Sequence, residues 1–230
     1  MSLLSFALAS GCSKTPPPPA TTSASLSGSA SIPAAASNAV AADSAKAVVG
    51  EIAPDFALND LQGRTVKLSD FKGKIVVLEW FNPECPFVRA AHTKGSLKDD
   101  AQKNLARGVV WLAVNSGGAG KQGFGVEKND DGRKRYGLVH PILIDATGEV
   151  GHKYGATNTP NMAVIDPKGT LVYRGAIDNS PDGEGESPEP TGSALVNYVD
   201  AAIDAVLAGK PVTVKETRAY GCSVKYANPS

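Results

Sequence analysis

The residues best suited to chemistry in this chain run from Trp80 to His92, WFNPECPFVRAAH, where Cys85 stands between Pro83 and Pro86. An apolar run precedes the cysteine and a helical pattern follows it, so the thiol falls where a strand gives way to a helix. A sulfur in that place faces the unpaired N–H groups of the first helical turn and the positive end of the helix dipole. Both favour thiolate over thiol, which makes the cysteine a nucleophile. Arg89, one turn along, adds positive charge to the same face. A buried, inert thiol acting as a small hydrophobe is the competing reading. Glu84 would oppose ionisation if its carboxylate pointed toward the sulfur.

The remaining composition narrows the chemistry further. Cys12, Cys85 and Cys222 are the three cysteines of the 230 residues, an odd and sparse set that does not describe a disulfide scaffold. There is no CxxC pair, and His92, His140 and His152 are far apart in sequence, so neither a metal site nor any other cofactor is expected. Twenty-three basic residues balance twenty-three acidic ones without a basic block, which excludes a nucleic-acid footprint and a polybasic membrane patch.

The elements that must position Cys85 begin after a long, low-complexity N-terminus. Residues 1–12 open with MSLLSFALASG, too short to span a bilayer but suited to the apolar part of a secretory signal. Leu8 to Cys12, LASGC, resembles the lipobox of bacterial lipoproteins, which implies a lipid on Cys12 and a place in the cell envelope or periplasm. The match departs from the usual pattern in having Ala9 three places before the cysteine and no positive residues ahead of it. Residues 13–47, rich in Ser, Ala and Pro, read as a disordered tether, because they carry too little apolar surface to offset the entropy of ordering. The folded domain is expected over 48–230.

Within that domain, strands alternate with helices. Arg64 to Leu68, Ile75 to Phe81, Val109 to Asn115 and Ile142 to Ile144 read as strands, the second and third as buried apolar runs. Pro86 to Leu105 reads as one helix, Val126 to Tyr136 and Glu149 to Tyr154 as short ones, and Gly117 to Gly125 as a loop. Met162 to Ile165 and Leu171 to Ala176 flank the turn Asp166-Pro167-Lys168-Gly169 and form a hairpin. Ser193 to Ala208 reads as the last helix, with Leu195, Val199, Ile203 and Val206 on one stripe. The acidic stretch Ser180 to Pro190 reads as a solvated loop. The class is α/β with a mixed sheet.

From Val49 to Tyr226 the chain resembles the thioredoxin-fold redoxins, specifically the peroxiredoxin-like group related to alkyl hydroperoxide reductase and thiol-specific antioxidant proteins. The likeness rests on Ala53-Pro54-Asp55-Phe56, on Leu68-Ser69-Asp70-Phe71-Lys72-Gly73-Lys74, and on YGATNTPNMAVIDPKGTLVYRG from Tyr154 to Gly175. It implies a thioredoxin-like fold in which Pro160, preceded by Thr159, is a cis proline packed against Cys85. Two departures qualify the activity. Val88 stands where a thioredoxin-type site has its second cysteine, and Asn82 stands where a peroxiredoxin site has Thr or Ser, so Asn82 or Thr159 would have to orient a peroxide. The group also ends in a Gly-Cys-Ser segment like YGCSVKY. That makes Cys222 a candidate resolving partner for Cys85, a structural free thiol being the alternative.

The implied function is a thiol-dependent oxidoreductase acting on hydroperoxides or protein disulfides, with electrons from a thioredoxin-like or small-thiol donor and contact with a membrane only through a lipid anchor. Disulfide reduction or isomerisation in envelope protein maturation, or a non-catalytic binding module of the same fold, are the other readings.

Overall fold

The segment IVVLEWF forms an inner strand of the sheet because its side chains, Glu79 apart, are apolar toward both faces. The computed structural model describes residues 46–180 and 194–227. Cys12, the proposed tether up to residue 45, and the acidic stretch beyond Ser180 lie outside the described residues.

Nine strands and five α-helices follow one another in the described residues: β1 (Ala57–Asp60), β2 (Thr65–Lys67), β3 (Val76–Trp80), α1 (Pro86–Thr93), α2 (Asp100–Ala106), β4 (Val110–Asn115), α3 (Val126–Arg135), β5 (Ile142–Ile144), α4 (Glu149–Tyr154), β6 (Asn158–Thr159), β7 (Asn161–Ile165), β8 (Leu171–Gly175), α5 (Tyr198–Leu207) and β9 (Cys222–Ser223). Seven strands make a mixed sheet in the order β2-β1-β5-β4-β3-β7-β8, and β6 with β9 makes a separate two-stranded ribbon. The expected α/β class with a thioredoxin-like mixed sheet is what forms. Strand β3 runs parallel to β4 and antiparallel to β7, so the strand leading to Cys85 and the strand following Pro160 lie side by side.

Alternation along β3 divides the core. Val76, Leu78 and Trp80 join Phe56, Leu112, Tyr154 and Leu171 on one face. Ile75 and Val77 join Ala91, Trp111, Tyr173, Val199 and Ile203 on the other, beneath α1, α2 and α5. A third cluster, of Phe81, Cys85, Val88, Leu138 and Ile142, closes the end of the sheet where Cys85 sits.

Three boundaries differ from the sequence reading. The single helix expected over Pro86 to Leu105 is two helices. The chain leaves α1 after Thr93, where both Lys94 and Gly95 donate to the Ala90 carbonyl, and re-enters at Asp99 with φ 65. The last helix begins at Tyr198 rather than Ser193, because Asn197 caps it by accepting from the Asp200 N–H, which leaves Leu195 exposed ahead of it. Ala47, assigned to the tether in the sequence reading, is buried and donates its N–H to the Lys153 carbonyl.

Candidate active site

Local sequence builds the cysteine loop. The Asn82 side chain accepts the Glu84 N–H at 2.9 Å, and the Cys85 N–H donates to the Asn82 carbonyl at 3.0 Å, which turns the chain out of β3. Cys85 then caps α1 in an extended conformation, with Pro86 as the first helical residue, where its missing N–H costs nothing. The thiol is fully buried and donates to the Thr159 carbonyl at 3.2 Å.

That carbonyl belongs to a cis peptide between Thr159 and Pro160, as the resemblance implied. Thr159 also pairs with Cys222 across the β6–β9 ribbon, which lays the C-terminal segment over Cys85. Cys222 is half-buried and packs on the Cys85 cluster; both cysteines are free thiols. Burial, and then hydrogen bonding and charge from the Cys85 sulfur, push the Cys222 thiol up to about 11. The segment around it is held by the Asn158 amide on the Gly221 carbonyl, the Val224 N–H on the Thr157 carbonyl, and the Tyr226 hydroxyl on the Ala156 carbonyl.

The other candidates divide. Glu84 is drawn away from the thiol: its carboxylate accepts the Gly123 N–H at 2.6 Å and pairs with Lys128 at 3.0 Å, and those contacts hold it below the usual carboxylate range. Arg89 is exposed, and its guanidinium makes no hydrogen bond or ion pair among the described residues. The Asn82 side chain accepts the Glu84 N–H at 2.9 Å and donates to the Gln122 carbonyl at 3.3 Å. The Thr159 hydroxyl is buried without a hydrogen-bond partner among the described residues.

The sequence reading missed Glu79. It is fully buried in β3, on the α1 side of the sheet, with one carboxylate oxygen 2.6 Å from His92 Nε2 and the other accepting Trp111 Nε1 at 2.9 Å. Burial raises its pKa, but the charges and hydrogen bonds of His92, His140 and Trp111 outweigh that and hold it below the usual range. Its one sequence signal was a carboxylate inside an otherwise apolar strand. No group of three or more potential metal ligands exists among the described residues.

Comparison with known proteins places this geometry among relatives. The model of the AhpC/TSA family matches residues 49–174, more than half of the chain. The thiol-disulfide oxidoreductase ResA of Geobacillus thermodenitrificans is 38% identical over 124 residues, 54% of this chain and 66% of that protein. The chain therefore spans about two thirds of the length of that relative. The protein ycf42 of Porphyra purpurea, provisionally named a peroxiredoxin, is 31% identical over 169 residues, 69% of this chain and 82% of that protein. Among solved structures, a hypothetical protein of Sinorhizobium meliloti superposes with a TM-score of 0.67 at 31% identity, covering 79% of this chain and 96% of the other.

Proposed function

The chain belongs to the AhpC/TSA family, and from that premise we propose that it is a thiol–disulfide oxidoreductase whose redox unit is Cys85 with Cys222. The observation that carries this reading is the placing of the two free thiols together at the N-terminus of α1, beneath the cis-proline loop, in a chain without a CxxC. The likeness to ResA supports disulfide exchange.

In that reading Cys85 is the nucleophile. Its thiolate attacks a partner disulfide, forms a mixed disulfide and releases the first partner thiol. Cys222 then gives up its proton and displaces the second thiol, leaving a Cys85–Cys222 bridge. Two electrons and two protons pass to the partner, and a thioredoxin-like or small-thiol donor returns them. Because β9 roofs Cys85 with a ladder of two residue pairs, access requires that short ladder to open, and contacts so few belong to the low-stability end of a fold.

The test is capture. With Cys222→Ser, mixed disulfides between Cys85 and disulfide-bearing clients should accumulate, and Cys85→Ser should abolish both capture and exchange. Exchange that survives Cys85→Ser would overturn the reading.

The likeness to ycf42 favours a second reading, peroxide reduction through a Cys85 sulfenic acid resolved by Cys222 with loss of water. Peroxide consumption that Cys85→Ser abolishes, faster than exchange with disulfides, would favour this second reading. Residues 8–12 support a lipid-anchored place in the envelope, which palmitate labelling lost in Cys12→Ser would check. No described helix is long and apolar enough to cross a membrane.

A further inference from the structure

The segment that carries Cys222 is fastened on both sides of the cysteine. Upstream, Thr217 is built onto the edge of the sheet. Its N–H donates to the Arg174 carbonyl at 3.1 Å, and its hydroxyl lies 2.7 Å from that of Tyr173 and accepts the Ala176 N–H at 2.9 Å. Downstream, Tyr226 is seated against α4. Its hydroxyl donates to the Ala156 carbonyl at 2.7 Å, and its ring stacks on His152 with centroids 3.9 Å apart. The backbones of Gly148 and Gly151 approach it so closely that a Cβ on either would collide with it. The Gly118 N–H, 2.8 Å from the Lys225 carbonyl, holds the same end. The residues between Thr217 and Tyr226 therefore form a strap fixed at each end, with Cys222 inside it.

Between those ends the hold is lighter. The ribbon contributes two residue pairs, Asn158 with Ser223 and Thr159 with Cys222, and the Asn158 amide reaches the Gly221 carbonyl at 2.8 Å. Two residues before Cys222, Tyr220 turns into the domain. Its hydroxyl donates to Asp178 Oδ1 at 2.9 Å, and its ring packs on Phe87, the second residue of α1, with centroids 6.5 Å apart. Asp178 is buried and fixed by other parts of the domain: Oδ1 also accepts the Ser180 N–H at 3.0 Å, and Oδ2 accepts the hydroxyl of Ser96, which lies between α1 and α2. One tyrosine thus ties the strap that carries Cys222 to a rigid acceptor and to the helix that begins at Cys85.

We propose that Tyr220 and Asp178 are positioning residues for the exchange reaction: they latch the strap with Cys222 over Cys85, and release of the latch opens it as a loop still pinned at Thr217 and Tyr226. The inference rests on Cys85 and Cys222 being the exchanging pair. Opening in this manner admits a partner disulfide to Cys85. A short loop fixed at both ends also keeps Cys222 at high effective concentration beside the mixed disulfide, ready to displace the partner. The latch bond exists in the closed strap and is broken in the open one. Its loss therefore shifts the closed-to-open ratio by one factor, which speeds entry to Cys85 and slows the return of Cys222.

The experiment follows both steps in the reduced full chain with dithiobis(nitrobenzoate). Cys85 displaces one aryl thiolate and holds the other as a mixed disulfide. Cys222, losing its proton, then displaces the second and closes the bridge, so each step releases one coloured thiolate. Tyr220→Phe keeps the ring and removes the latch hydroxyl. It should speed the first release about ten-fold and slow the second by a similar factor, the scale of one hydrogen bond. Asp178→Asn keeps an acceptor for that hydroxyl and should restrain both steps as the wild type does. A merely structural role would not split the two steps in opposite senses. Releases that are unchanged or move in the same sense in Tyr220→Phe, or an Asp178→Asn chain that behaves like Tyr220→Phe, overturn the inference. Should these variants not fold, amide hydrogen exchange of the wild-type chain still decides. The Val224 N–H, inside the strap, should open more readily than the Thr217 and Gly118 N–H groups at its ends, and equal protection at all three overturns the inference. Iodoacetamide labelling of Cys85 in the Cys222→Ser chain, with and without Tyr220→Phe, reads the latch without any exchange. Labelling sped about ten-fold beside failed capture would refute the exchange reading alone.

Discussion

Gly221, next to Cys222, has φ +105, a left-handed conformation that glycine adopts without strain, and a Cβ there would collide with the Thr159 carbonyl. That close approach lets the C-terminal segment lie over Cys85. Gly221→Ala should therefore destabilise the fold by about 1–3 kcal/mol and slow formation of the Cys85–Cys222 bridge, measured by urea midpoint and by the rate of thiol loss. Much of the site was legible at this scale. Cys85 at the helix N-terminus, the Thr159–Pro160 loop and the YGCSVKY segment each carry a local signature or a family likeness. Glu79 was not legible, because in IVVLEWF only topology says that its face meets α1 and Trp111 rather than solvent. Helical spacing puts Arg89 one turn from Cys85, and its long side chain is exposed.

The helices make their own demands where α2 meets α5. Asp100 is buried, accepts the Asn197 amide at 3.1 Å, and shares Asn104 with Asp200, whose carboxylate accepts that amide at 2.9 Å. Burial, and then the charge of Asp200, push Asp100 up to about 7 from 3.8. Between those values the native chain holds a proton that the unfolded chain has lost. The contribution is thus complete below about pH 4 and is lost as pH rises through about 7. Chemical denaturation against pH should show wild-type stability falling by about 2–4 kcal/mol relative to Asp100→Asn across that range. Comparison with the variant is needed because His140, pushed down to about 4 from 6.5, acts in the opposite sense, its contribution being lost as pH falls. A difference that does not vary with pH would contradict this account. The same region shows why element boundaries were less legible than element types. The apolar runs of β3 and β4 and the turn after β7 are strong local signals, whereas the break between α1 and α2 depends on Asp99 at φ 65, a tertiary choice that no helical period announces. The two-residue ribbon of β6 and β9 is too short to leave any pattern of its own.

In the domain as a whole, one short ribbon brings together two cysteines that are far apart in sequence. A bridge between Cys85 and Cys222 would close a loop of roughly 140 residues, which in the chain-entropy view stabilises the oxidised form by about 3–5 kcal/mol over the reduced one. Redox state and stability should therefore move together, with Tm higher in the oxidised chain. The most direct test of the central claim is peptide mass mapping of the chain after oxidation by one equivalent of a disulfide reagent. The account predicts an intramolecular bridge between the Cys85 and Cys222 peptides. Recovery of Cys222 as a free thiol, with Cys85 left unbridged or joined to a second chain, would contradict it.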